Sequence, residues 1–377
     1  MLRFGKQAVR VGSVVKGLGK TSWFALALVV WLVQGRAGAQ NSSNVELVGR
    51  CTMRDPAVRV LVNNNLAYVG AHETGYIPDL MILNVTDPTS PVTVGSYHGN
   101  AVDMFVASNR LYVASASNYV DIINVSVPSA PTLIRRYNLP GGLATPFGVW
   151  VVGNLAYVAA GDRGLRVLDV TDPTSPTTHA TYDTTGTAYK IRVAGNRAYL
   201  ADGAGGLRIF DVTNTAAPTL LGTFPTTASI EEVTVVGNRA YLAWYSGWSS
   251  YYGILQIVDV ANPALPVLLG QYETVQQFAG IGGIGLIGTT AYLADGIAGL
   301  RVVDVANPSS PRLAGFYESA TLGGMFAENL QVDNNLVFVA GSEESSGMPG
   351  QYHGVLFIFR YTGGQSMAAR SRWTRYR

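Results

Sequence analysis

From residue 45 onward the hydrophobic positions fall in short runs rich in Val, Ile, Leu, Tyr and Thr, each bounded by Gly, Asn, Asp or Pro. Runs of this length and composition read as strands separated by turns. Several are apolar at consecutive positions, which suits sheets covered on both faces by other sheets. No segment of this region carries a sustained helical period. One phrase recurs seven times, a small turn followed by an apolar strand with an aromatic residue, as in Asn154-Leu155-Ala156-Tyr157-Val158. Its aromatics are Tyr68, Tyr112, Tyr157, Tyr199, Tyr241, Tyr292 and Phe338, spaced 44, 45, 42, 42, 51 and 46 residues apart. A period of that length filled with strand-forming sequence predicts a propeller or a related repeat array.

Each repeat divides into four strands. In the third they are 148–152, 155–159, 165–170 and 177–182. The connections have a chemical rationale. Asp202-Gly203 and Asp295-Gly296 lie between second and third strands, where a tight turn needs positive φ. Asp172-Pro173, Asn262-Pro263 and Asn307-Pro308 follow third strands. There the side-chain oxygen is placed to accept from backbone amides while proline stops the ladder. These recurring acids read as structural.

The third strands share a signature: Leu165-Arg-Val-Leu-Asp169, Leu207-Arg-Ile-Phe-Asp211, Leu255-Gln-Ile-Val-Asp259 and Leu300-Arg-Val-Val-Asp304. Looser copies stand at Leu80-Met-Ile-Leu-Asn84, Val120-Asp-Ile-Ile-Asn124 and Leu356-Phe-Ile-Phe-Arg360. The pattern resembles the LVIVD repeat of secreted bacterial and archaeal proteins and extends over residues 45–361. That resemblance implies a β-propeller and no particular activity. Repeats one, two and seven depart from it, and at Arg360 a turn acid is unnecessary if the repeats end at that strand.

The ends define the architecture further. Repeat seven stops at Tyr361 without a fourth strand, while Val45-Glu46-Leu47-Val48-Gly49 has the pattern of one, compare Pro218-Thr-Leu-Leu-Gly222. The expected fold is therefore all-β, a seven-bladed propeller of four-stranded blades in which the N-terminal strand completes the last blade and protects open edges.

Residues 1–39 stand apart. They hold Arg3, Lys6, Arg10, Lys16, Lys20 and Arg36 with no acid, an apolar run over 23–33, and Ala37-Gly38-Ala39. This is the layout of a secretory signal cleaved before Gln40. The run is too short for the roughly 20 residues a membrane span needs, so no transmembrane span is expected in the mature chain. The domain reading is a signal peptide at 1–39, the propeller at 40–361 and a basic, disordered tail at 362–377. The expected location is secreted, periplasmic or cell-surface.

Without residues 1–39 the chain keeps 20 basic and 24 acidic residues. Four of the basic ones, Arg370, Arg372, Arg375 and Arg377, belong to the tail. A mildly acidic body argues against a nucleic-acid partner. Cys51 is the single cysteine, so no internal disulfide forms, and it reads as a partly buried thiol. The sequons at Asn84-Val-Thr86 and Asn124-Val-Ser126 matter only in a host that glycosylates exported proteins.

Candidate chemistry sits on the face carrying the second-to-third connections, whose lengths vary. Repeat three has only 161–164, whereas repeat one has 71–79, repeat five 244–253 and repeat seven 341–354. Function concentrates on loops held by a rigid scaffold. The repeat-five insertion, with Trp244, Tyr245, Trp248, Tyr251 and Tyr252, offers flat rings between small polar residues, suited to a sugar or a protein surface. A self-packed flap is the competing reading. Tyr76 and Tyr352 complete the ligand-binding candidates. His72, Glu73 and His353, with Glu343 and Glu344 nearby, are the only residues that suggest a metal, and no recognised ligand spacing joins them. Asp103 and Glu231-Glu232 lie toward the same face with no partner the sequence identifies. No nucleophile elbow, phosphate loop or His-Glu-x-x-His is present, so no catalytic residue and no cofactor is assigned. The preferred reading is an exported binding or scaffold module for a protein or glycan at the cell envelope. The alternatives are a propeller hydrolase or lyase with a metal or acid cluster on the loop face, and a structural envelope protein.

Overall fold

The computed structural model describes residues 41–71, 80–115, 117–140, 145–245, 253–274, 280–318, 325–344 and 351–363. Within them the chain is all-β, seven four-stranded antiparallel sheets arranged as the blades of a closed ring. The innermost strands of blades 1 to 7 are Ala57–Asn63, Asp103–Ala107, Gly148–Val152, Lys190–Ala194, Glu232–Val236, Ile281–Ile287 and Phe326–Asp333. Blade 7 takes its outer strand, Val45–Met53, from the N-terminal side, paired antiparallel with Tyr352–Tyr361 from Val45↔Tyr361 to Met53↔Gly354. The closure expected from the sequence is thus the observed one.

The repeat aromatic is the key of each blade interface. Seven apolar clusters fill the seven gaps between blades, and each contains one of Tyr68, Tyr112, Tyr157, Tyr199, Tyr241, Tyr292 and Phe338. All seven are at most 4% exposed. Burial pushes the Tyr292 hydroxyl up to about 12. Blades are also stitched by their turns: Gly161, Gly203 and Gly296, each at positive φ, bridge to Ala188, Ile230 and Ala327 at the start of the next blade.

The final acid of the LVIVD signature has a backbone role. Asp169, Asp211, Asp259 and Asp304 each accept from the amide two residues on, at 2.7–3.0 Å. The residue before the turn proline does the same; Asp87 and Asp172 accept from the hydroxyls of Thr89 and Thr174 at 2.7 Å and from their amides at 2.9 Å, and these bonds hold both carboxyls below their usual range. The glycine of the fourth strand is equally specific. At Gly49, Gly95, Gly222 and Gly270 a Cβ would collide with the proline carbonyl of the next blade's turn, at Pro88, Pro128, Pro263 and Pro308.

Two features differ from the sequence reading. The repeat-five and repeat-seven insertions begin later than expected, because Trp244-Tyr245 and residues 341–344 continue the ladder. The strands are Arg239–Tyr245 and Leu336–Glu344, with Tyr245↔Gly253 and Glu344↔Tyr352 as their last pairs. The Trp244 ring is 3% exposed between blades 4 and 5, which gives the ladder an apolar reason to extend. In addition, Asn41–Ser43 forms a fifth strand on the outer edge of blade 6, with Ser42 opposite Tyr317.

The fourth-strand glycines give a direct test. Gly222→Val is expected to destabilise the ring by roughly 1–3 kcal/mol, the usual range for overpacking. Gly195→Asn, at φ 58° with open space around it, should leave the melting temperature close to that of the unsubstituted chain. Equal melting of the two variants contradicts the close approach.

Candidate functional site: the lumen and the loop face

The innermost strands point one residue each into the lumen at the same height. These are Arg59, Asp103, Gly148, Lys190, Glu232, Gly283 and Asn329, paired in register with the second-strand residues Gly70, Ala114, Ala159, Ala201, Ala243, Ala294 and Ala340. Five carry polar side chains, and the four charged ones meet. Lys190 Nζ donates to Asp103 Oδ1 at 2.6 Å and lies 3.8 Å from Glu232 Oε2. Arg59 crosses the lumen to within 3.7 Å of both Asp103 and Glu232, and its Nε donates to the Val102 carbonyl at 2.8 Å. Arg192 approaches Glu232 at 3.4 Å. Asp103 also accepts from the Val149 amide at 3.0 Å.

Glycine makes this convergence possible. A Cβ at Gly148 would press on the backbone of Tyr189 and Lys190, and one at Gly283 on that of Asn329 and Leu330. Blades 3 and 4, and blades 6 and 7, therefore approach closely, and Lys190 reaches Asp103 past a blade that contributes no side chain. Asp103, Lys190 and Glu232 are each 3% exposed. Burial works against the Asp103 charge, but Lys190, Arg59 and Arg192 outweigh it and hold the carboxyl below its usual range. Burial, together with Arg59, pulls Lys190 down to about 8 against the opposing pull of Asp103 and Glu232. Within the ring two cations face two carboxylates, with Arg192 a third cation from the layer below, and breaking one of these pairs leaves a buried charge uncompensated.

The residues immediately before the ring positions, Val58, Val102, Phe147, Tyr189, Glu231, Gly282 and Glu328, stand toward the face of the second-to-third connections, and none of them is buried. Phe147 and Tyr189 form a tilted ring pair with centroids 5.1 Å apart. Each lies against a turn glycine of its own blade, Gly161 and Gly203. Desolvation pushes the part-buried Glu328 up to about 7, with Arg59 opposing. Glu231 is open to solvent at the lip, so desolvation, which also raises it, acts on it less fully. One layer below the ion cluster, Phe105 packs on Trp150 at 4.7 Å and Arg192 lies over the Trp150 ring at 4.9 Å.

Of the residues singled out from sequence, Trp244 is a core residue of the interface between blades 4 and 5 rather than an exposed contact ring, which favours the self-packed reading at that position. Tyr245 closes its strand opposite Gly253; its side chain lies outside the described residues, as do Trp248, Tyr251, Tyr252, Tyr76, His72 and Glu73 entirely. Tyr352 and His353 are part-buried at the tip of the blade 7 hairpin, opposite Glu344 and Glu343. Glu343 is joined to Arg50 at 2.9 Å. Among the described residues no three His, Cys, Asp or Glu side chains are placed to hold a metal ion, and no helix is long and apolar enough to cross a membrane. Cys51 is part-buried, and burial raises its thiol.

The lumen ring went unrecognised as a unit in the sequence, although its signal is there. Each of its seven residues stands nine positions before the repeat aromatic, from Arg59 and Tyr68 to Asn329 and Phe338.

Seven four-stranded blades around a polar lumen define a β-propeller. The LVIVD repeat profile matches residues 56–99, 98–139, 147–184, 185–226, 229–274 and 283–319, and the chain belongs to the LVIVD-repeat family. No curated protein sequence matches it. Among solved structures it is similar to the Cps50 (Swd1) β-propeller domain of Myceliophteria thermophila, with a TM-score of 0.61 and 12% identity over 85% of this chain and 99% of that one. It is similar to the RRP9 WD40 repeats, with a TM-score of 0.61 and 10% identity over 83% and 99%. A computationally designed protein, Ika8, gives a TM-score of 0.57 and 9% identity over 83% and 99%. At these identities the likeness concerns the fold.

Two outcomes test the electrostatics. Lys190→Met should cost about 3–5 kcal/mol, the range for removing one partner of a buried pair, read as the loss in unfolding free energy. Asp295 is fully buried beside Arg301 at 3.7 Å, and desolvation, against the pull of Arg301, raises it to about 7. A carboxyl raised on folding contributes stability below its unfolded value and loses it as pH rises through the folded one. Stability should therefore fall from about pH 4 to about pH 7 and level off above it, and Asp295→Asn should flatten that fall; an unchanged slope contradicts the assignment.

Proposed function

We propose that this chain is an exported binding and scaffold module that recognises a protein partner at the cell envelope through its loop face. The observation that carries the reading is the asymmetry of that face. The hairpins of blades 5 and 7 run two and four residue pairs past the lumen-ring register, to Tyr245↔Gly253 and Glu344↔Tyr352, and blade 1 has a long connection at 71–79. Blades 3 and 4 end in short turns, with second strands of five residues. A rigid ring with one built-up side presents a relief that a partner can match in shape, and loops on such scaffolds are where recognition resides. The basic, apolar and small-residue order of 1–39 supports export. Fold alone selects no activity, so the reading rests on this relief and on the aromatic content of the insertions.

The purified chain 40–377 should bind envelope-derived protein, measured on a surface array that also carries glycans. Tyr352→Ala combined with Trp248→Ala should weaken that binding by at least about 1 kcal/mol, the threshold for residues that matter at an interface, with the melting temperature retained. Binding confined to the glycans moves the partner class; binding that is equal in the variant removes the loop face as the site.

A further inference from the structure

The mouth of the lumen holds a constellation that the ring beneath it does not use. Three cations, Arg59, Lys190 and Arg192, converge in the lumen on two carboxylates, Asp103 and Glu232. Glu231 and Glu328 stand one layer higher. Counting both layers gives four carboxyl groups to three cations, the upper two raised by desolvation and so only partly ionised at neutral pH. The placement of the two mouth acids is set by blade 6. It contributes Gly282 between them, and Gly282 lies so close to blade 7 that a Cβ would collide with the Glu328 carbonyl. No side chain therefore separates the two glutamates along the rim. On the other side of Glu231 stands Tyr189, near enough for the two to interact electrostatically, and Tyr189 forms its ring pair with Phe147. Neither ring is fully buried, and each is backed by a turn glycine that lets it lie flat against the main chain.

We propose that this mouth binds a basic side chain, lysine or arginine, presented by a protein partner. An aliphatic stem terminating in a cation satisfies both halves of the constellation: the stem packs on the Phe147 and Tyr189 rings, whose faces attract cations, and the charge meets Glu231 and Glu328. Arg59 acts on Glu328 from the ring below, but its Nε is bound to the Val102 carbonyl and its Nη1 faces Glu232, so its charge is shared with the ring. A cation arriving beside the two carboxyls favours their charged forms, against the desolvation that raises both. The inference rests on the protein-binding reading above and names the group that the partner supplies.

The test is an NMR titration of chain 40–377 with the pentapeptides Gly-Gly-Lys-Gly-Gly and Gly-Gly-Arg-Gly-Gly against the norleucine isostere, at low salt. The lysine or arginine peptide should move the Phe147 and Tyr189 ring resonances, and the norleucine peptide should not. Glu231→Gln combined with Glu328→Gln should weaken the basic peptide by at least about tenfold, and Glu328→Gln alone by less, while Glu46→Gln on the outer strand leaves it unchanged. Equal shifts from norleucine, no shift from the basic peptides, or full affinity in the double variant overturns the proposal. If the basic peptides fail while loop-face variants still abolish binding of the envelope partner, the protein-binding reading stands and only the mouth is wrong.

Discussion

The pairing of Val45–Met53 with Tyr352–Tyr361 is the contact on which the rest of this structure depends. A propeller blade is stable only between two neighbours, because each apolar gap is filled from both sides. The chain supplies six blades in one direction, and the seventh exists only once the first strand meets the last. The clusters that flank blade 7 contain Val45 and Met53 from that strand. Side chains reinforce the join at the lumen. Asn329 accepts from the Val60 amide at 3.3 Å, and Gln331 accepts from the Val62 amide at 2.7 Å and donates to the Val62 carbonyl at 3.0 Å. These amides of blade 7 bond blade 1 backbone where two neighbouring blades have no ladder of their own.

Closure also fixes the electrostatics of the centre. Lysine, arginine, aspartate and glutamate from four separate blades come within bonding range only when the ring has a definite circumference. The glycines at 148 and 283 set that circumference locally by letting two pairs of blades approach. A buried ion cluster contributes little net stability, because desolvation offsets most of the attraction. Its effect is on register: a shift of one residue would put an uncharged neighbour in place of Arg59, Asp103 or Lys190 and leave the others unpaired.

Much of this was legible in the sequence, for physical reasons that can be named. The aromatic of each second strand recurs because each interface needs one large ring. The signature acid and the turn proline recur because each third strand ends in the same backbone turn, and Val45 to Gly49 showed its origin by ending on the glycine that lets an outer strand pass under the next turn. The lumen was harder to see, since its residues differ from blade to blade: Arg59, Asp103, Lys190, Glu232 and Asn329 share a register and a depth but no chemistry. Only their constant distance from the aromatic marks them. Trp244 is hard to place from sequence for the opposite reason. Its company of tyrosines and serines suggested an exposed loop, yet the strand simply continues and the ring is spent on the blade interface.

The account requires the first strand to be as firmly held as the strands it completes, and native-state hydrogen exchange measures this directly. The amides of Leu47–Met53 that pair with the last strand should exchange with the same opening free energy as those of Val337–Ala340 in the middle of blade 7, both reporting the opening of one cooperative ring. Rapid exchange along Leu47–Met53 while Val337–Ala340 stays protected would mean that the ring is not closed by its first strand.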